Sequence, residues 1–167
     1  MRKLTIPALL LLLTTCGAAQ AQLDVELAFD PAEVYAGDTL HASASVANLG
    51  DVDVVADVAI TITFDGVPYG PFTGELPLQA GQERGGMAEF TVPAVCWGFS
   101  LGIEVTVSAG GYSDTAAATL VVHAEPGGTA GPEAFAPLGV EMVDALLGDQ
   151  PIAAETSSLG ALKRSYR

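Results

Sequence analysis

The sequence predicts an all-β protein, an antiparallel β-sandwich of about seven strands. Apolar and polar residues alternate with a period of two through most of residues 23–123, as in strands with one buried face. Turn residues recur about every 8–12 residues, which is the spacing of a small sandwich. No long stretch in this range has helical spacing, and half of the 167 residues are apolar, enough for a packed core.

The first two strands are short and amphipathic. Every second residue from Leu23 to Phe29 is apolar, and Asp30-Pro31 ends this strand. A turn at 36–38 precedes the second strand, in which the alternation runs from Leu40 to Val46. Each strand therefore presents one face to the core and one to solvent.

The third strand has the clearest pattern in the chain. It follows the turn residues 48–51, and every even position from Val52 to Phe64 is apolar. Asp65-Gly66 ends it, and this dipeptide is the strongest short hairpin signal in the sequence.

The remaining strands are separated by proline and glycine. Pro68 and Pro71 cannot donate to a β-ladder, so the segment from Val67 to Gly74 is predicted as an edge strand or a loop. The alternation then resumes, and it predicts three further strands at 88–92, 103–109 and 115–123.

The chain after the sandwich, which is assigned to residues 22–124, divides into three parts. Residues 125–137 contain three glycines and three prolines and are predicted as a linker. Val140, Val143 and Leu147 have helical spacing, which predicts a short helix at 138–148. A helix of this length is marginal alone, so it must dock on the sandwich, dock on a partner or stay partly unfolded. Residues 149–167 are predicted as a flexible C-terminal tail.

The first 21 residues predict a signal peptide. A basic start, an apolar run of ten residues from Leu4 to Leu13 and the small residues at 19–21 fit cleavage after Ala21. A lipoprotein signal through Cys16 is the alternative, and Thr15 disfavours it because such signals prefer Gly, Ala or Ser there. The prediction is an exported protein, periplasmic or extracellular, with no membrane span after cleavage.

The charge excludes nucleic acid as a partner. Twenty acidic residues against six basic ones give a net charge of −14, and removal of Arg2 and Lys3 with the leader leaves 4 minus 20, or −16. Between Lys3 and Lys163 the only base is Arg84, so no basic patch for phosphates exists. Three bases lie at Lys163, Arg164 and Arg167; this tail could contact an acidic partner or its own sandwich, or could simply be a frayed end.

Cys96 is the only cysteine that remains after cleavage at Ala21, so an intrachain disulfide is not possible. A small buried side chain beside Trp97 is the favoured interpretation. A disulfide between two chains is the alternative.

A set of turn and core residues in the sandwich forms a recognisable pattern. Its members are Gly66, Tyr69-Gly70-Pro71, Leu76, Leu78, Gly81, Val92-Pro93-Ala94 and Gly102. In these residues the sandwich resembles a group of bacterial exported immunoglobulin-like domains related to the CARDB-like, cell-adhesion-related sandwiches. The resemblance covers about residues 23–124 and implies an immunoglobulin-like fold, with little information about activity. Ile103-Glu104 stands where that group usually has an aromatic residue, and Cys96-Trp97 is an insertion.

One motif suggests an enzyme. Gly98-Phe99-Ser100-Leu101-Gly102 matches G-x-S-x-G, and Asp114 and His123 follow in the order of an α/β-hydrolase triad. That motif requires a helix after the serine, whereas residues 103–109 have the period of a strand. The pentapeptide is therefore interpreted as a glycine-rich loop between two strands, and the protein as a non-enzyme without catalytic residues.

Metal and cofactor sites are not predicted either. His41 and His123 have no second ligand at zinc spacing and are expected at the surface. Asp51, Asp53 and Asp65 could bracket a calcium ion, but the spacing of a known calcium loop is absent. Asp24 and Glu26 are interpreted as solubilising charges on a solvent-exposed face.

The sequence thus favours a non-enzymatic exported module for protein–protein interaction, adhesion or structural spacing at the bacterial cell envelope. Its partner would be an unidentified protein or surface component. The alternative is a module that binds a small ligand or a glycan through aromatic residues in predicted loops, namely Tyr69, Phe72, Trp97 and Tyr112.

Overall fold

A computed structural model of the chain describes residues 22–95 and 97–147. The predicted signal peptide with Cys16, the thiol Cys96 and the predicted tail 149–167 lie outside the described residues.

The described residues form two facing β-sheets. The smaller sheet has the strand order β1-β3-β6, and the larger has the order β2-β8-β7-β4-β5. All neighbours are antiparallel except β2 and β8. The strands are β1 Leu23–Asp30, β2 Glu33–Val34, β3 Thr39–Asn48, β4 Val54–Phe64, β5 Val67–Leu78, β6 Glu83–Thr91, β7 Phe99–Ala109 and β8 Tyr112–Val122.

The all-β sandwich prediction is confirmed, and the alternation explains the register. Ile60 of β4 pairs with Val105 of β7, and Val58 pairs with Val107, so side chains of the same parity share the inner face. These four side chains are buried. A slip of one residue would turn all of them to solvent, so burial of this face specifies the pairing.

One local prediction is wrong, and one short strand is not predicted. The segment 98–102 is not a loop, because β7 already begins at Phe99, whose ring is buried against Phe64 and Phe135. The two-residue strand β2 was not predicted, since it is too short for a period to be visible.

The segment at Pro68 and Pro71 is an edge strand, β5, which pairs with β4 alone. Its register shifts between Ile60 and Ile62, so that Gly70 and Pro71 face the single residue Thr61. Such a bulge accommodates a proline that cannot donate to the ladder. The bulge also breaks the regular edge that another strand could pair with.

The predicted linker is partly wrong. Pro132–Phe135 forms a 3₁₀ turn, and the helix α1 runs over Ala136–Leu147, so regular structure begins inside the segment predicted to be a linker. Phe135 is 0% exposed, and its ring centroid lies 5.1 Å from those of both Phe90 and Phe99. This ring therefore anchors the start of α1 in the core between the two sheets.

Helix α1 docks on the sandwich beside β6 of the smaller sheet. Two of its contacts fall on glycines, where the absence of a side chain lets the helix approach. A Cβ at Gly74 of β5 would lie 3.1 Å from the Leu147 side chain, and one at Gly86 of β6 would lie 3.0 Å from Ala145. The helix thus lies along the smaller sheet and reaches β5 of the larger sheet at its last residue, Leu147.

The turns at one end of the sandwich are joined by Asn48, a buried polar residue that is 0% exposed. Its Nδ2 donates to the carbonyl oxygens of Val52 at 2.7 Å and Gln79 at 3.0 Å. Its Oδ1 accepts from the Gly50 amide at 3.1 Å. One side chain thus makes hydrogen bonds to backbone groups of both the β3–β4 and the β5–β6 turn. We call this end of the sandwich the Asn48 pole.

We expect alanine to destabilise the protein at one strand glycine and to be tolerated at another. A Cβ on Gly85 would collide with the Ala44 carbonyl oxygen, so Gly85→Ala should lower the free energy of unfolding by about 1–3 kcal/mol, as overpacking does. Gly102→Ala is the matched control, because its Cβ would meet Thr63 at an ordinary 3.5 Å. Urea denaturation of both variants checks this, and equal midpoints would contradict it.

Candidate functional site

The strongest candidate surface lies at the end of the sandwich opposite the Asn48 pole. Here the loops before β3, before β7 and after β8 are fixed to one another by backbone hydrogen bonds. The His123 amide donates to the Val34 carbonyl at 3.0 Å, that of Gly37 donates to Val92 at 2.8 Å, and that of Glu125 donates to Val95 at 3.0 Å. These bonds hold the surface side chains of the loops on a fixed frame.

Tyr35 and His123 form a stacked pair on this frame. Their ring centroids are 4.4 Å apart and the planes differ by 8°. The Nε2 of His123 lies 3.4 Å from Oε2 of Glu33, and the Tyr35 amide donates to the Asp38 carboxylate at 2.7 Å. Tyr35 is nevertheless 54% exposed, so its ring is oriented while remaining accessible.

Trp97 lies in the loop before β7 and is 46% exposed. Its six-membered ring lies against Gly131, where a Cβ would be 2.8 Å from two ring carbons. The Gly131 amide donates to Glu133 Oε1 at 3.0 Å, so a carboxylate lies at the same place. Gly98, the next residue, contacts the backbone of residues 122–124. Trp97 is therefore at the same end as the stacked pair, and we call Tyr35, Trp97 and His123 with Glu33 the aromatic pole.

The aromatic set predicted from the sequence does not assemble. Phe72 is buried in the core, and Tyr69 is half-buried with its ring 5.8 Å from Phe64; both are in β5 and not in a loop. Tyr112 begins β8 at the Asn48 pole. Of the four residues, only Trp97 belongs to the aromatic pole; Tyr69 lies near the same end of the sandwich, in β5, with its ring against Phe64. Tyr35 was missed because no pattern marks a residue after a two-residue strand.

The triad suggested by the G-x-S-x-G match does not form in the described residues. Ser100 lies inside β7, and its Oγ is 3.3 Å from Oδ1 of Asp65. Asp114 accepts from the Val25 amide at 2.8 Å, joining β8 to the edge strand β1. The ring of His123 is engaged with Tyr35 and Glu33 instead.

The calcium hypothesis is not supported by the arrangement of its three aspartates. Asp51 and Asp53 precede β4 and Asp65 follows it, so an eleven-residue strand separates them. Asp53 accepts from the Ala80 amide at 2.9 Å, and Asp65 accepts from the Ser100 amide at 2.8 Å. Within residues 22–95 and 97–147, no group of three or more His, Cys, Asp or Glu side chains is placed to hold a metal ion.

The two histidines and the carboxylate pair of β1 lie near solvent. The side chain of His41 is 43% exposed, with Nδ1 3.9 Å from Glu89 Oε2. Asp24 and Glu26 are exposed, as predicted. In the part of the chain that the structure describes, no helix is both long and apolar enough to cross a membrane.

Comparison with known proteins identifies similar folds only among solved structures. No protein-family model matches the sequence. The curated proteins also contain no match. The CARDB domain of the PF1109 protein from Pyrococcus furiosus, crystallised in complex with di-metal ions, is 19% identical, with a TM-score of 0.44 over 63% of this chain and 96% of that one. Its solution structure gives the same identity and a TM-score of 0.43, over 63% of this chain and 97% of that one.

A third similar structure is the DNA-bound alkylpurine DNA glycosylase AlkC of Pseudomonas fluorescens. It is 15% identical, and the TM-score is 0.43 over 62% of this chain and 31% of that one. The first two structures are CARDB domains, the kind of domain that the sequence resembles.

Proposed function

We propose that this chain is an exported, non-enzymatic module that binds another protein or surface component at the bacterial cell envelope. The observation that carries the proposal is the aromatic pole, where Tyr35 and Trp97 are exposed at one end of a rigid sandwich. Tyr and Trp are enriched at interfaces because they bury a large area with few rotatable bonds. Loops on a fixed scaffold are the usual place for binding residues.

The stacked arrangement favours a preformed binding surface. Tyr35 is oriented by His123 and by the turn closed at Asp38, so little side-chain freedom remains to be lost on binding. Carboxylates of Glu33 and Glu133 lie beside the two aromatic residues. The surface therefore combines apolar area with negative charge, which suits a partner with exposed apolar side chains surrounded by basic ones.

Site-specific photocrosslinking in the organism of origin tests this function. A benzophenone amino acid at position 35 or 97 should form adducts with one defined protein, and the same probe at Tyr112, which is 38% exposed at the other pole, should not. Tyr35→Ala should reduce the adduct from position 97 at least tenfold, because interface aromatics of this kind are worth about 2 kcal/mol or more.

Equal adducts from position 112, or none from 35 and 97, would count against the aromatic pole. Binding of the purified chain to a glycan array, abolished by Trp97→Ala, would instead favour the glycan-binding alternative.

A further inference from the structure

We propose that the outer face of the three-stranded sheet binds the chain's own basic segment, residues 159–167. The face carries a shallow depression of about 430 Å³, whose floor includes Ser43 and Ser45 of β3 and whose sides carry Glu26 of β1 and Glu83 of β6. We call this surface the acidic trough. The inference concerns a different surface from the aromatic pole and stands independently of the function proposed for that pole.

The register of the three strands builds the trough. In three of the four outward-facing rows the central strand carries a small residue, and the two outer strands carry five carboxylates in all. Glu26 lies beside Ser45, and Ser45 lies beside Gly85. The other outward rows are Asp24–Ala47–Glu83, Ala28–Ser43–Met87 and Asp30–His41–Glu89. The result is a low floor between two walls, formed by β1 and β6, that carry these carboxylates together with the exposed Met87.

Charge complementarity identifies the occupant. The walls carry five carboxylates and no basic side chain, since Arg84 pairs with the inward-facing Val46 and lines a separate depression beside Asp53. Beyond Arg84, the bases of the chain after Lys3 are Lys163, Arg164 and Arg167. The basic segment is therefore the one part of the sequence after the predicted leader that has clustered opposite charge.

The C-terminal end of α1 lies close enough to the acidic trough for the basic segment to reach it. Ala145, in the last turn of α1, lies against Gly86, and Gly86 also lines the trough. Residues 148–162 connect Leu147 to Lys163 and can span up to about 50 Å when extended. Because the segment is tethered, its local concentration at the trough is on the order of millimolar.

The spacing of the charges also matches. Lys163 and Arg167 are four residues apart, so in an extended conformation they would lie on one side of the chain, separated by about 13 Å. Glu26 and Asp30 are also four residues apart on one side of β1, at the same separation. An extended segment along the trough can thus pair both Lys163 and Arg167 with one wall.

Zero-length carbodiimide crosslinking of the full chain tests the proposal. Lys163 is the only lysine after Lys3, so each amide formed by its Nζ reports where the segment lies. A mixture of ¹⁴N- and ¹⁵N-labelled chains separates bonds within one chain from bonds between chains. We expect Lys163 to join Glu26 or Glu83 of the same chain at least fivefold more often than Glu75 or Glu104, which lie on the outer face of the other sheet. We also expect the yield to fall at least threefold in 0.5 M NaCl, because salt screens exposed pairs.

A second measurement does not depend on crosslinking. Replacement of Lys163, Arg164 and Arg167 together by alanine should shift the amide resonances of Ser45 and Gly85 and leave those of Thr106 and Thr115 in place. Crosslinks spread equally over both sheet faces, crosslinks only between chains, or unchanged Ser45 and Gly85 resonances would each overturn the proposal.

Discussion

Asn48→Asp is expected to lower the free energy of unfolding by about 3–5 kcal/mol at pH 7, the loss typical of a buried charge without a partner. The two side chains have the same shape, so packing is conserved. The Nδ2 of Asn48, however, donates to carbonyl oxygens of Val52 and Gln79, and a carboxylate oxygen in its place faces those same oxygens. The residue is fully buried, so water cannot screen the repulsion.

The matched control is Gln82→Glu, the same change of amide to carboxylate in the neighbouring turn. The Gln82 side chain uses its oxygen, Oε1, to accept from the Gln79 amide at 2.8 Å, and a glutamate oxygen accepts equally well. We expect a change within about 0.5 kcal/mol for this variant, which lies in the range of surface substitutions. Equal urea midpoints for the two variants would show that Asn48 does not act through its donor group.

Phe135→Ala is the second substitution with a large expected effect, a loss of about 3–5 kcal/mol. The ring is fully buried between Phe90 of the smaller sheet and Phe99 of the larger one. Its removal leaves a cavity at the point where α1 is anchored, so the helix should be released together with the loss of core packing. Thermal unfolding, with hydrogen exchange of the α1 amides, measures both effects.

Val140→Ala provides the control on the same helix. Val140 is 39% exposed, and its truncation should change stability by less than about 1 kcal/mol. If residues 125–137 were a linker without tertiary contacts, Phe135→Ala would lower the stability as little as Val140→Ala does. That result would contradict the docked position of α1.

The strands could be predicted where one face is buried and the other solvated. In β4 the apolar parity extends from Val54 to Phe64 without interruption, and the structure places this strand at Val54–Phe64. Burial of alternate side chains is a local signal that survives in a single sequence. The hairpin at Asp65-Gly66 is predictable from the dipeptide alone, since aspartate and glycine accept positive φ more readily than most residues. In the structure both residues have positive φ.

The C-terminal part of the fold could not be predicted in the same way. Phe135 is a single aromatic residue among prolines and glycines, and composition alone suggests a linker there. Its role depends on Phe90 and Phe99, which are more than thirty residues away in sequence and meet it only in the folded chain. The docking of α1 on Gly74 and Gly86 is likewise invisible in the sequence, where these glycines indicate turns or weak strands.

The candidate site was predictable only in part. Trp97 is a candidate because it is an aromatic residue in a predicted loop. Tyr35 and His123 were not paired, since the parallel contact between β2 and β8 that brings them together has no sequence signature. Conversely, Phe72 was assigned to a loop because adjacent prolines and glycines hid a strand that a bulge makes possible.

The directions of β1 and α1 determine where the two ends of the described chain lie on the sandwich. Leu23 pairs with Asn48, and Leu147 lies against Gly74, in the half of β5 nearer its Asn48 end. The described chain therefore starts and stops on the side away from Tyr35 and Trp97. The exposed rings of Tyr35 and Trp97 are thus at the end of the sandwich that carries neither Leu23 nor Leu147.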